Sequence, residues 1–376
     1  AGGWTQTGGN AQHTTAHAPL EKFSEIVWQK KIGPGSTNTN FILSSPVGAK
    51  GMLYALDTAG IVSALNAKTG EVLWRTSVMQ GSERRSVVGG GLAYGDSKLF
   101  VGTSQGEALS LHPPTGAIIW RTKLPGPVRS APTVAGNRLY LVEVENRVDA
   151  LSTRKGEIIW SHEGAPELAT LLGGASPAVY RHVVVVPYSS GEIFALRAEN
   201  GQFLWGENLA SRKLLGSLSM LSHVRAHPVV DRNMVFVMSH SGRMMALDFN
   251  TGERLWEKEI GGVEKPVVIG QFMFLITSNN ELVCMTRSTG RIVWVTQLPQ
   301  YTNPEKKKGH IFWTGPVVAG GKVIVAGSTG KALAFSPSDG TTQGEVVLPG
   351  PVYVSPIASG GMLYFFTDKA EIVAVK

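Results

Sequence analysis

Short apolar runs alternate with polar turns along almost the whole chain, and one eleven-residue pattern recurs in register. It reads ALNAKTGEVLW at 64–74, SLHPPTGAIIW at 110–120, ALSTRKGEIIW at 150–160, ALRAENGQFLW at 195–205, ALDFNTGERLW at 246–256 and CMTRSTGRIVW at 284–294. A seventh copy starts AFSPSDG at 334–340; it reads as carrying an insertion, with Leu348 in place of the terminal Trp. The first half of each copy, such as Val62-Ser63-Ala64-Leu65, predicts a short strand, and the second half, such as Glu71-Val72-Leu73-Trp74, the return strand. Between them lies a turn whose glycine accepts a positive φ without steric cost. These glycines, Gly70, Gly116, Gly156, Gly201, Gly252, Gly290 and Gly340, recur roughly every 45 residues, a period typical of propeller blades. A further apolar pair precedes each hairpin, as in Pro132-Thr133-Val134 followed by Arg138 to Val142. Each repeat therefore has four strands, which predicts a blade of a β-propeller.

Proline marks the start of the first strand in seven repeats, at Pro46, Pro132, Pro177, Pro228, Pro266, Pro316 and Pro356. A strand's first residue is where a missing N–H is tolerated. The second repeat has Gly89-Gly90-Gly91 there instead. The last repeat is one strand short: after Glu371-Ile372-Val373-Ala374-Val375 the chain ends without a Trp. The segment Ser24-Glu25-Ile26-Val27-Trp28-Gln29 has the missing pattern. The expected fold is therefore all-β: one eight-bladed β-propeller domain over 1–376, with four-stranded antiparallel blades. Residues 1–23 form an N-terminal extension, and 24–31 supply the closing strand of the eighth blade, leaving no open edge. Trp28, Trp74, Trp120, Trp160, Trp205, Trp256 and Trp294 take equivalent positions and are expected to pack between adjacent blades.

Composition agrees with this picture. The 376 residues are 43% hydrophobic and 17% charged, enough for a large core, and 45 Gly and 20 Pro imply many turns. The net charge is +7, but the basic residues are scattered. The one dense run, Lys306-Lys307-Lys308, sits beside Pro304 and reads as a solvated loop, so nucleic acid is not an expected partner. The single cysteine, Cys284, excludes a disulfide within the chain and reads as a buried strand residue. No apolar run reaches the roughly 18 residues of a membrane span.

The A-L-x-x-x-T-G-x-x-x-W repeat resembles that of the quinoprotein propellers, a superfamily holding PQQ-dependent alcohol dehydrogenases and a non-enzymatic branch. Within it the chain is similar to the BamB family, propeller lipoproteins of the outer-membrane β-barrel assembly machine. The likeness rests on the length, the eight repeats, the opening Trp4-Thr5-Gln6-Thr7-Gly8-Gly9-Asn10 and the long connection ending Leu221-Ser222-His223-Val224-Arg225-Ala226-His227-Pro228. The resemblance implies a periplasmic scaffold at the inner leaflet of the outer membrane of a Gram-negative bacterium, attached by a lipid anchor upstream of residue 1. It implies docking on the POTRA domains of the barrel-assembling subunit and contact with nascent outer-membrane proteins. The loops that carry this in the family correspond to those before Ala175-Ser176-Pro177 and before Pro228. Two positions that are typically acidic there fall on His223 and Arg225, and a typical arginine falls on Leu172.

The residues themselves point away from catalysis. One cysteine rules out the vicinal pair usual in PQQ dehydrogenases, and Glu71, Asp248 and Glu253 lie in turns and strand ends rather than in a ligand set. His13 and His17, like His223 and His227, have helical spacing but no helix to present them and no zincin glutamate. Nucleophile-elbow and phosphate-loop motifs are absent; Gly173-Gly174 and Gly89-Gly90-Gly91 precede strands and read as turns. No catalytic residue, cofactor or metal site is expected. Function is expected on the long blade connections Ser161–Ala175, Gly206–His227 and Val295–Phe312. The second of these is apolar for a loop, with Leu209, Leu214, Leu215, Leu218, Met220 and Leu221. The expected partner-binding residues are Leu171, Leu172, Leu214, Leu215, His223 and Arg225. The alternatives are a PQQ-dependent quinoprotein dehydrogenase and a propeller that binds a ligand in its central channel.

Overall fold

The computed structural model describes residues 3–15, 17–80, 89–165, 174–209, 226–240 and 242–376. Eight four-stranded antiparallel sheets follow one another, each a blade. Blade 1 spans 47–77, blade 2 90–123, blade 3 133–163 and blade 4 178–208. Blade 5 spans 229–258, blade 6 267–297, blade 7 313–347, and blade 8 combines 357–375 with 26–31. Within each the strands are paired in sequence order, except that in blade 8 the outermost strand is Ile26–Lys31. That strand pairs antiparallel with Glu371–Val375, setting Trp28 opposite Ala374. The ring is closed by the two ends of the chain, as the split repeat predicts.

The recurrent pattern has a packing reason. In each of blades 1–7 a small third-strand residue lies opposite the outer-strand position that ends the motif, as Ala64 does to Trp74 and Ala150 to Trp160. In blades 1, 2, 3, 5 and 6 the same small residue also lies opposite a second-strand aromatic, as Ala64 does to Tyr54; in blades 4 and 7 that position is Val185 and Ile324. The slim middle residue lets the two rings approach: Tyr54–Trp74, Phe100–Trp120, Tyr140–Trp160 and Phe274–Trp294 centroids are each 5.9 Å apart. In blade 6 the small residue is Cys284, opposite both Phe274 and Trp294. That is why the chain's one thiol is buried, and burial pushes its pKa up to about 11.

Each Trp then locks onto the next blade. Its ring covers that blade's turn glycine, where an added Cβ would come within 2.4 Å of Trp74 at Gly116 and within 2.7 Å of Trp205 at Gly252. The indole N–H donates to a carbonyl of the same turn: Trp28 to Ala67, Trp74 to Pro113, Trp120 to Thr153, Trp160 to Ala198, Trp205 to Phe249, Trp256 to Arg287 and Trp294 to Pro337. Each of the seven indoles thus reaches the next blade's turn.

Blade 7 corrects two sequence expectations. Its outer strand, Thr342–Val347, places Gly344 opposite Ala334, so the repeat carries no insertion and Gly344, not Leu348, holds the Trp position. The next blade has no turn joining its third and fourth strands at that junction, because those strands, Glu371–Val375 and Ile26–Lys31, come from distant parts of the chain. Phe23, from the N-terminal extension, lies against Gly344 and is buried. Pro316 does not open its strand either; it sits inside Trp313–Ala319, at a register shift between Thr314 and Val317. Likewise the Val295–Phe312 connection is not a plain loop, since it carries a hairpin of Tyr301–Asn303 and Lys308–His310. Lys306, Lys307 and Lys308 are exposed at its turn.

Candidate functional site

The N-terminal extension, expected only as a polar lead-in, turns out to line the axis. Its backbone bonds the innermost strands in chain order. Gly48 N–H donates to Trp4 O at 2.7 Å, Tyr94 N–H to Thr5 O at 2.7 Å, Val179 N–H to Ala11 O at 2.6 Å and Val230 N–H to Gln12 O at 3.0 Å. Further on, Ala18 N–H donates to Val318 O at 3.1 Å. At blade 3 the Gln6 side chain substitutes for backbone: its Nε2 donates to Val134 O at 2.7 Å and its Oε1 accepts from Val134 N–H at 2.8 Å. The strap's hydrogen bonds therefore reach blades 1, 2, 3, 4, 5 and 7. Trp4, Gln6, His13 and Thr15 are buried in doing so. Sequence reasoning missed this; the available signal was a tryptophan and a glycine pair inside an otherwise polar segment.

Above the strap lies an axial cavity of about 570 Å³. Trp4, Thr7 and Gly8 of the strap line it, and every blade contributes residues at or near the start of its first strand, from Phe41–Ser45 at blade 1 to Val352–Ser355 at blade 8. Blade 6 sends in Glu264 and Lys265, and blade 3 sends in Arg129. Glu264 Oε1 accepts from Thr314 Oγ1 at 3.1 Å and Oε2 from Ser355 Oγ at 2.7 Å, so one carboxylate ties blade 6 to blades 7 and 8. The Lys265 ammonium is buried and has no hydrogen-bond partner among the described residues. Burial lowers its pKa to about 8, against a smaller opposing pull from Glu264.

His13 and His227, read from the sequence as ordinary histidines, meet beside this cavity with ring centroids 5.3 Å apart. His13 Nδ1–H donates to Pro228 O at 2.8 Å, since a carbonyl can only accept. Burial drives the His13 pKa down to about 3, with the nearby Lys265 charge adding to the fall. His227 Nδ1 accepts from Ser176 N–H at 2.7 Å. Among the described residues no group of three or more His, Cys, Asp or Glu side chains could hold a metal ion; His223 lies outside them. A separate buried acidic pair sits in blade 3, where Arg147 reaches Asp149 at 3.0 Å and Glu143 at 3.8 Å. Burial, then Asp149, pushes Glu143 up to about 8; its carboxylate accepts from Gly126 N–H and so secures a turn.

The expected partner-binding residues Leu171, Leu172, Leu214, Leu215, His223 and Arg225 all lie outside the described residues. Their flanks are described. Gly174, after the first loop, and His227, after the second, both line the cavity. The Ser176–His227 bond joins the two loop exits directly. On the far side of the mouth, rings form a row: Tyr301–His310 at 5.7 Å, His310–Phe312 at 4.9 Å and Phe312–Tyr353 at 6.3 Å between centroids. Phe312 is 58% exposed and Tyr353 47%, although both also line the cavity.

The chain matches the family model described as outer membrane protein assembly factor BamB over residues 24–85 and 58–296. The protein of that name from Shigella dysenteriae serotype 1 is 26% identical over 390 residues, covering 93% of this chain and 88% of its own. The crystal structure of BamB from Moraxella catarrhalis has the same fold, with a TM-score of 0.80 at 18% identity over 93% of this chain and 98% of that one. A quinohemoprotein alcohol dehydrogenase from Pseudomonas putida HK5 also shares the fold, with a TM-score of 0.76 at 12% identity, this chain matching 80% of its length.

Proposed function

The chain belongs to the BamB family of outer membrane protein assembly factors, and from that premise we propose that it is a non-catalytic scaffold docking on the POTRA domains of the barrel-assembling subunit. In this role it holds that subunit and nascent outer-membrane proteins in register for folding and insertion. It works in the periplasm, held to the inner leaflet of the outer membrane by a lipid anchor upstream of residue 1. The family is one of assembly factors, not enzymes, which sets aside the dehydrogenase alternative despite the shared fold.

The observation that carries the docking reading is the 2.7 Å bond between Ser176 N–H and His227 Nδ1. It fastens the exits of the two candidate loops to each other on adjacent blades, so a partner can engage Leu171, Leu172, Leu214, Leu215, His223 and Arg225 together. Apolar side chains beside a basic residue suit an interface whose anchors are ringed by polar contacts. With His223 and Arg225 at positions typically acidic in the family, the cognate partner carries acidic residues opposite them. Titration calorimetry against the cognate POTRA domains tests this. Arg225→Glu is expected to weaken binding by about 1–3 kcal/mol with little change in melting temperature, and Leu172→Asp to weaken it as well. Unchanged affinity in both variants would move the site to the Tyr301–His310 hairpin.

A further inference from the structure

The axial cavity presents a problem that the docking role does not use. Lys265 is 6% exposed, and its ammonium has no acceptor among the described residues. A buried cation without an acceptor is strongly disfavoured, so the site is built to receive one from outside the chain. The stem of Lys265 is held in place by the strap: a Cβ on Gly8 would come within 2.9 Å of both Lys265 Cε and His13 Cβ. Gly8 also has φ +75, so the strap's backbone is shaped to let this side chain through. The cavity it lines carries several aromatic and apolar side chains, among them Trp4, Phe41, Trp313 and, at the mouth, Phe312 and Tyr353. Apolar walls with a few fixed polar groups are the usual form of a small-molecule site, and about 570 Å³ falls in the usual size range.

We propose that this cavity is a binding site for a small organic monoanion, a carboxylate on an aromatic or similarly apolar body, whose oxygens accept from Lys265 while the body packs on the aromatic lining. The charge balance sets the class. Arg129 and Lys265 are offset by Glu264 and Asp368 along the same lining, so a polyanion gains little, whereas one carboxylate can satisfy the Lys265 ammonium directly. Glu264 is already committed to Thr314 and Ser355, and repels a carboxylate approaching from blade 7 or 8. The ligand's charged end is thereby directed to the strap side of blade 6, and its apolar end to the mouth. This site is distinct from the loop surface assigned to POTRA docking.

Phenylacetate is the probe, titrated by calorimetry into the full chain. 2-Phenylethanol supplies the same body without charge, and acetate the charge without the body. Binding in the millimolar range or tighter is expected for phenylacetate, with each of the other two weaker by about tenfold or more, the scale of one charge-assisted hydrogen bond or one buried ring. Lys265→Met keeps the stem and removes the ammonium; it is expected to fold with an unchanged or higher melting temperature and to lose phenylacetate binding by about tenfold or more. Phe312→Ala, at an exposed position that the fold does not depend on, is expected to weaken phenylacetate and leave acetate unaffected. The proposal is overturned if phenylacetate does not bind the wild-type chain, if 2-phenylethanol binds as well, or if a folded Lys265→Met binds phenylacetate undiminished.

Discussion

At the scale of single residues the ring is held by a repeated lock: a tryptophan of one blade over the turn glycine of the next, with an indole N–H to the same turn. Trp205 is 6% exposed and bonds Phe249 O at 2.9 Å, so Trp205→Ala is expected to cost about 3–5 kcal/mol in denaturant unfolding. Trp294 is only partly buried, and its truncation should cost less. The glycine half is just as specific: Gly252 has φ +74 and no room for a Cβ beneath Trp205. At the one junction without that turn, Gly344 and Phe23 replace the pair, so Gly344→Trp is expected to destabilise by displacing Phe23. His13 makes a different prediction. Its folded pKa, about 3, lies below its ordinary value of 6.5 because burial opposes the charge. The unfolded chain therefore takes up a proton that the folded chain refuses. Stability from this group is full above pH 6.5 and is lost progressively as pH falls from there toward 3. Lys265, whose charge lies near His13, does not reverse the sign, since positive charge nearby disfavours its protonation further. Melting temperatures measured across that range should show a slope that His13→Gln reduces; an equal slope in the variant would remove His13 as its source.

At the scale of elements, legibility divides sharply between hairpins and strap. The blade hairpins were readable because their determinants are local: a small residue, a turn glycine and a tryptophan within eleven positions. The closing strand was readable because Ile26–Lys31 repeats the same outer-strand pattern. The seventh copy was misread because the bulky residue, rather than the glycine-to-terminus spacing, was used to align it; Gly344 keeps the spacing and lacks the bulk. The strap had no such signature. Its partners are main-chain groups of distant blades, as with Gln6 and Val134, and backbone pairing leaves no side-chain periodicity. Lys265 looked like any charged residue between Glu264 and Pro266, and only the fold buries it. The strap's contribution can be measured at Gln6. Gln6→Ala leaves a buried N–H and C=O of Val134 without their partners, and is expected to cost about 1–3 kcal/mol. A cost near zero would mean that the strap rests on the ring without supporting it.

At the scale of the whole molecule, closure is what turns eight marginal sheets into one body. A four-stranded blade alone cannot bury both of its faces; in the ring each packs against two neighbours, and the clusters of buried side chains run from blade to blade. The weakest link is the blade made from both termini. Ile26–Lys31 covers the edge of Glu371–Val375, and without it a row of unpaired N–H and C=O groups is exposed. Two truncations separate the roles of strap and strand. Removing residues 1–22 keeps Phe23 and the closing strand but takes away the cavity floor; this variant is expected to melt earlier yet remain monomeric. Removing residues 1–31 also uncovers the last blade and the Gly344 junction. It is expected to self-associate with rising concentration, because an open, flat edge recruits a second strand. Light scattering after size exclusion, over a range of protein concentrations, distinguishes the two. If the shorter truncation aggregates as readily as the longer one, ring integrity depends on the strap rather than on the shared blade; if neither does, the other seven blades hold the ring shut without a closing strand.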